Sequence, residues 1–147
     1  MTPIVVEFAV TASCGHAFDM WANRTSLWWP RGHTLSGDDD LDIVFERWPG
    51  GRIFERAADG SEHDWGRIVA WEPPHRLAYS WHLFFDAAEA TDIEITFTAV
   101  GDATAVRIEQ SGWERLGAAG EARRARTHSV WQALTPAFIE ATERTEP

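Results

Sequence analysis

Hydrophobic and polar residues alternate with a period of two through most of the middle of the chain. The clearest case is residues 76–81, where Leu77, Tyr79 and Trp81 alternate with smaller or polar residues. This pattern is typical of a β-strand with one buried face. Residues 65–71 are predicted to form a second extended run. The Pro73-Pro74 pair lies between the two runs, and because proline has no backbone N–H, it cannot continue the hydrogen bonding of a sheet. The two runs therefore predict a hairpin with large rings on one face.

Similar patterns predict the other strands and two kinds of helix. Besides the central hairpin in 65–82, strands are predicted at residues 3–11, 41–47, 52–56, 91–99 and 104–111. Apolar residues at helical spacing after Ser13 predict a short helix ending near Asn23, and a further turn is expected before Pro30. Residues 31–40 and 83–90 are expected to connect elements. A long helix is predicted from about Glu121 to about Glu143, with a kink at Pro136.

This order of elements predicts an α+β fold in a single domain over residues 1–147. Antiparallel strands joined by short turns make a curved sheet with one apolar face. The long terminal helix carries an apolar stripe wide enough to cover that face. Its members are Val130, Trp131, Leu134, Ala137, Phe138 and Ala141.

The composition narrows the classes of partner. A formal net charge of −10 repels phosphate backbones and anionic membranes, so nucleic acid is not an expected partner. No apolar run is long enough for membrane insertion, and the amino terminus lacks the basic region of a signal peptide. The single cysteine, Cys14, excludes an internal disulfide and favours a cytoplasmic location. No cofactor motif occurs.

Tryptophan is the unusual residue type, with nine copies in 147 residues. Two interpretations stay open: the rings fill an aromatic core, or several of them line a cavity for a hydrophobic or aromatic guest. Gln110 is informative because it lies in step with Val106 and Ile108 on the predicted inner face. Its buried amide needs partners from the protein or from a guest. The predicted pocket residues are Trp29, Phe45, Phe54, Trp65, Tyr79, Trp81, Phe97, Gln110, Trp131 and Phe138.

The titratable residues were also considered for acid–base catalysis and for metal binding. Glu55, Asp64 and His82 are candidates for acid–base catalysis, because an inward carboxyl group in an apolar pocket would have a raised pKa. The histidines lack the spacing of a metal site, and the acidic run 38–42 lacks the pattern of a calcium loop, so no metal is expected.

Two surface features leave partner binding open. The basic group Arg123, Arg124 and Arg126 is either a solvated helix face or a means of steering an acidic guest. The Phe84-Phe85 pair in a connecting segment is compatible with a homodimer interface or another protein contact.

Several motifs together resemble the START-related helix-grip superfamily, also called SRPBCC, and within it the branch of the activator of the heat-shock chaperone ATPase. The resemblance implies seven antiparallel strands gripping the terminal helix, with a pocket between them. Members bind hydrophobic molecules such as lipids and polyketides, and a minority are cyclases or hydratases; chaperone contact is a further alternative. Gln110 stands where such proteins often have His. The motifs are Trp28-Trp29-Pro30, Gly50-Gly51-Arg52, Trp65-Gly66-Arg67, Trp71-Glu72-Pro73-Pro74-His75-Arg76-Leu77, Trp81-His82, Ser111-Gly112-Trp113-Glu114 and Trp131.

Overall fold

The computed structural model describes residues 1–146. Within them, seven strands precede a long carboxy-terminal helix, and one shorter α-helix follows the first strand. Short 3₁₀ turns at Thr25–Leu27, Arg31–His33, Ala87–Glu89 and Trp113–Ala119 join the elements. The elements are β1 (Ile4–Val10), α1 (Cys14–Ala22), β2 (Asp42–Phe45), β3 (Arg52–Arg56), β4 (Glu62–Glu72), β5 (Arg76–Trp81), β6 (Thr91–Val100), β7 (Ala103–Ser111) and α2 (Gly120–Arg144).

All seven strands form one antiparallel sheet in the order β1-β7-β6-β5-β4-β3-β2. Every neighbouring pair except β1 and β7 is consecutive in sequence, so hairpins build most of the sheet. The β3/β4 register shifts at Ile53/Phe54, and the β4/β5 register shifts at Ile68/Ala70. Irregularities of this kind bend strands and help a sheet curve. Gly66 is required here, because a Cβ at this position would collide with the carbonyl oxygen of Ser80.

The two helices cover the concave face of the sheet. The Ser13 hydroxyl caps α1 by accepting a hydrogen bond from the His16 N–H at 3.1 Å. α1 packs on α2 and against β6 and β7, while α2 contacts β1. α2 runs without interruption through Pro136 and buries Trp131, Leu134, Phe138 and Ala141 against the sheet. No helix within residues 1–146 is long and apolar enough to cross a membrane.

The predicted α+β helix-grip architecture is confirmed. The long helix begins one residue before its predicted start and ends one residue after its predicted end. The sheet grips the apolar stripe of α2, so the core lies between these two layers. The space that remains in this layer is where a guest would have to fit.

Candidate functional site

A cavity of about 240 Å³ lies between the sheet and the first half of α2. An apolar cavity of about 150 Å³ in another protein is large enough to hold benzene, so this space suits a somewhat larger ring system. Most of the lining is apolar. Residues from β5, β7, α2 and the segments 29–33 and 83–85 contribute, namely Trp29, His33, Trp81, Leu83, Phe84, Phe85, Gln110, Arg123, Arg126, Thr127, Val130, Trp131 and Leu134.

Tryptophan rings form one wall of the cavity. The ring centroids of Trp29 and Trp81 lie 5.7 Å apart, and Trp65 supports both rings from behind at 5.3 Å and 5.5 Å. Trp65 is fully buried, whereas Trp81 is half-buried. The Trp29 indole N–H donates to the His33 carbonyl oxygen at 2.9 Å. Unlike the Trp29 indole, the Trp81 indole N–H has no hydrogen-bond partner among residues 1–146.

Gln110 is the polar group at the buried end of the cavity, where it is only 2% exposed. Its Oε1 accepts from the Trp131 indole N–H at 2.8 Å, and its Nε2 donates to the Thr91 hydroxyl at 2.9 Å. An indole nitrogen can only donate, so this contact fixes the orientation of the amide. Each end of the amide therefore has one partner, and no residue in 1–146 uses the second N–H or the second oxygen lone pair.

The segment 83–85 and the start of α2 form the mouth of the cavity. Phe84 has a φ of 71°, a conformation that bulky residues rarely adopt and that is often found in functional segments. The Arg123 guanidinium carbon lies 3.5 Å from the centroid of the Phe85 ring, and Nη1 donates to the Glu89 carbonyl oxygen at 2.7 Å. Burial lowers the pKa of Arg123, but a guanidinium group in a protein keeps its charge.

Glu55 points inward, as the acid–base hypothesis requires, but it does not reach the cavity. The carboxylate is fully buried and accepts hydrogen bonds from the backbone N–H groups of Leu35 and Ser36 and from the Trp65 indole. Burial alone raises the pKa of a carboxyl group, but these bonds outweigh it and lower the pKa of Glu55. The expectation of a raised pKa is wrong for this residue, because the charged form is the one that the donors stabilise.

His82 and Asp64 form a pair outside the cavity lining. His82 Nε2 lies 3.1 Å from Asp64 Oδ2, and Nδ1 lies 3.0 Å from the Phe85 carbonyl oxygen. Asp64 also accepts from the Arg67 guanidinium at 2.6 Å. The pair thus links β4 to the mouth segment. It has a clear structural role and no direct access to a guest.

Four of the ten predicted pocket residues line the cavity: Trp29, Trp81, Gln110 and Trp131. Five others lie in the closed core beside it, namely Phe45, Trp65, Tyr79, Phe97 and Phe138. The tenth, Phe54, lies on the other face of the sheet. Its strand neighbours Ile53 and Glu55 point inward, so Phe54 must point outward, where the guanidinium groups of Arg52 and Arg56 cover its ring at 4.3 Å and 5.4 Å.

Several lining residues lie outside the predicted set. On α2, Val130 and Leu134 already belong to the predicted apolar stripe, and extending that stripe towards the amino terminus in steps of three and four gives Thr127, Arg126 and Arg123. His33 and Leu83 come from connecting segments, and no local pattern identifies them. Within residues 1–146, no group of three or more His, Cys, Asp or Glu side chains is placed to hold a metal ion.

Comparisons with solved structures find the same architecture elsewhere. An anthrahydroquino-gamma-pyrone synthase, Txn09, is 30% identical with a TM-score of 0.64, and the match covers 95% of this chain and 96% of Txn09. The self-sacrificing resistance protein CalC from Micromonospora echinospora is 23% identical with a TM-score of 0.76 over 99% and 96% of the two chains. The Aha1 dimer from Colwellia psychrerythraea is 16% identical with a TM-score of 0.70 over 97% of each chain. The last two likenesses concern the fold alone.

Sequence comparison identifies the family. Comparison with curated proteins gives no significant match. The family model described as "Activator of Hsp90 ATPase homolog 1-like protein" matches residues 11–142, which is most of the chain. The matched region begins just after β1, ends two residues before the end of α2 and contains all the residues found to line the cavity. The chain therefore belongs to the family of activator of Hsp90 ATPase homolog 1-like proteins.

Proposed function

We propose that this protein binds a small hydrophobic or aromatic molecule, lipid-like or polyketide-like, in the cavity between the sheet and α2. The observation that carries the proposal is the lining itself: three tryptophan rings and several aliphatic side chains enclose a space with one fixed amide at its buried end. Pockets for small molecules typically combine apolar walls with a few placed polar groups. The aromatic faces suit a planar guest, and the unused N–H of Gln110 suits an oxygen on it.

A binding titration with a defined probe tests the proposal. The neutral bicyclic compound 2-naphthamide is added to the purified protein, and binding is measured by calorimetry. Saturable binding at one site per chain is expected. Native mass spectrometry of freshly purified protein, beside a denatured sample, would also reveal a guest carried from the host. Failure of both 2-naphthamide and its carboxylate analogue 2-naphthoate to bind would contradict the proposal.

Trp81→Ala separates a cavity wall from a closed core. Because Trp81 is half-buried and borders existing space, we expect a loss of about 1–2 kcal/mol of stability, below the roughly 3–5 kcal/mol typical of buried tryptophan. The affinity for 2-naphthamide should fall at least about tenfold. Trp48→Ala is the matched control, since Trp48 is 55% exposed and lies outside the cavity. A full stability penalty with unchanged affinity would remove Trp81 from the site.

A second candidate function is catalysis in the same cavity. It is favoured by the 30% identity to Txn09, which is described as a synthase. His33 is the candidate general acid or base, because histidine is the commonest residue in that role and the part of the lining within residues 1–146 contains no Asp, Glu, Cys or Tyr. His33→Gln should then abolish turnover of an aromatic polyketide substrate and leave its binding intact. Turnover that survives this substitution would exclude His33 as the catalytic group.

A third candidate is self-association or contact with a chaperone through the mouth segment. Phe84 is 54% exposed, and the Aha1 relative from Colwellia psychrerythraea is described as a dimer. Sedimentation of the wild type and of Phe84→Ser would test the homodimer. A shift to monomer in the variant alone would support it, and two identical profiles would count against this segment. Adding a purified heat-shock chaperone to the same experiment tests the chaperone contact.

A further inference from the structure

We infer that the guest carries an anionic oxygen group, such as a carboxylate, which Arg123 and Arg126 bind at the mouth of the cavity. The inference rests on the proposed function and adds the chemical class of the guest: an apolar body with one negative charge. Both arginines line the cavity from successive turns of α2. They lie on the same side of the helix because residues three apart are neighbours on its surface.

Arg123 is a buried cation with much of its bonding capacity unused. It is only 5% exposed, and the hydrogen bond found for it among residues 1–146 goes to the neutral carbonyl oxygen of Glu89. A guanidinium group has five N–H donors. One face of the group stacks on Phe85, so the remaining donors at its edge are free for a guest. Buried cations are normally paired, and a guest anion would supply the partner that residues 1–146 do not.

The other arginines show that this lack of a partner is not general. Across residues 1–146, neither Arg123 nor Arg126 has a carboxylate within ion-pair distance. Of the eleven other arginines, Arg24, Arg31, Arg47 and Arg124 also lack such a partner within these residues, and the remaining seven have one, namely Arg52, Arg56, Arg67, Arg76, Arg107, Arg115 and Arg144. The chain contains 23 acidic residues and only 13 basic ones, so partners are abundant elsewhere. Two arginines without such a partner at one cavity mouth therefore form a local positive site on an acidic protein.

The surrounding groups support the same assignment. Among the described residues 1–146, those that line the cavity include no Asp or Glu. Burial lowers the pKa of Arg123, the charge of Glu89 acts in the opposite direction, and Glu89 Oε1 accepts from the Asp86 N–H at 3.3 Å. The cavity lining thus combines the two arginines and the amide of Gln110 with apolar walls. A guest would place its rings among the tryptophans and its anionic group between the arginines, where planar guanidinium groups bind carboxylates well.

Matched probes test this inference. The affinities of 2-naphthoate and the neutral isostere 2-naphthamide are measured by calorimetry for the wild type, Arg126→Gln and the double variant Arg123→Gln with Arg126→Gln. Arg124→Gln is the control: it makes the same change on the same helix, but Arg124 donates to the carbonyl oxygens of Thr2 and Pro3, away from the cavity. Thermal unfolding of each variant establishes that it is folded. Because Arg126 is exposed, its single variant should fold even if the double variant does not.

The wild type should bind 2-naphthoate at least about tenfold more tightly than 2-naphthamide, and salt should reduce this preference. Arg126→Gln should reduce the preference for 2-naphthoate severalfold, and the double variant should remove this preference. Arg124→Gln should leave the preference unchanged. Equal affinities for the two probes in the wild type would overturn the inference and leave the proposed function standing. Equal losses for both probes in the variants would also overturn it. Failure of both probes to bind would overturn the proposed function and this inference with it.

Discussion

Two aromatic groups lie side by side in the core and differ in what surrounds them. The closed cluster consists of Trp21, Trp28 and Phe138, whose ring centroids are 4.8–5.1 Å apart and whose side chains are at most 5% exposed. The cavity wall consists of Trp29, Trp81 and Trp131, which border about 240 Å³ of open space. Trp21 and Trp131 stack between the groups at 6.1 Å, so the two regions are continuous.

The comparison shows that coverage, not residue type, separates a core from a candidate binding site. α1 packs against α2 on the side of the closed cluster. Beyond α1, the start of α2 meets the mouth segment 83–85 and the turn after Trp29, and these short segments leave the space unfilled. Protein interiors are normally packed as densely as organic crystals, whereas here the connecting segments leave about 240 Å³ open. The core of this protein is therefore closed where α1, α2 and the sheet meet, and open where connecting segments take the place of α1.

The largest expected effect comes from breaking the closed cluster. Trp21→Ala should lower the free energy of unfolding by about 3–5 kcal/mol, because it removes a fully buried ring and leaves a cavity. Urea denaturation of the variant and the wild type measures the change. Trp48→Ala, at an exposed site, should stay within about 0.5 kcal/mol of the wild type. If Trp21→Ala lost less stability than Trp81→Ala, the closed cluster would not be more tightly packed than the cavity wall.

The next effect concerns the support behind the cavity wall. Glu55→Gln should cost about 2–3 kcal/mol, because an amide cannot accept from all the N–H groups that now face the carboxylate. Glu140→Gln is the control, since its exposed ion pair with Arg144 should contribute little. Urea titrations at neutral pH measure both changes. If Glu55→Gln lost no more stability than Glu140→Gln, the hydrogen bonds of Glu55 would not stabilise the residues behind the cavity wall.

The same variant has a defined pH dependence. The pKa of Glu55 is lowered on folding, so its stabilisation is fully present above the unfolded-state pKa of about 4.3. The stabilisation disappears as the pH falls through the lower folded-state pKa. The stability difference between the wild type and Glu55→Gln should therefore shrink in acid. A difference that is constant down to pH 2 would contradict this account.

The smallest effect should come from the amide at the buried end of the cavity. Gln110→Leu leaves the Trp131 indole N–H without its acceptor, and we expect a loss of about 1–2 kcal/mol. Gln132→Leu on the exposed side of α2 is the control and should be nearly neutral. Urea denaturation gives the stability, and calorimetry with 2-naphthamide gives the affinity. If Gln110 binds the guest, affinity falls as well; unchanged affinity would limit Gln110 to a structural role.

Local patterns in the sequence determined the order of strands, the hairpins and the terminal helix, because alternation and helical spacing depend on near neighbours in the chain. Those patterns, with the family motifs, predicted the α+β helix-grip fold that the structure confirms. They also indicated Trp29, Trp81, Gln110 and Trp131, which meet at one cavity. The face on which each strand residue lies was harder to predict. Phe54 was expected in the pocket, but its neighbours Ile53 and Glu55 point inward, so Phe54 points to the other face of the sheet.

Only the tertiary structure decided which rings enclose open space. Phe138 and Trp131 belong to the same helical stripe, yet α1 covers one end of that stripe and the segment 83–85 covers the other. Likewise, Glu55 obtains its donors from residues 35 and 36, about twenty positions away, and Arg123 meets Phe85 from 38 positions away. Such contacts join segments that no local pattern connects. Cavity shape and the charge state of a buried group depend on these distant contacts, so only the folded arrangement fixes them.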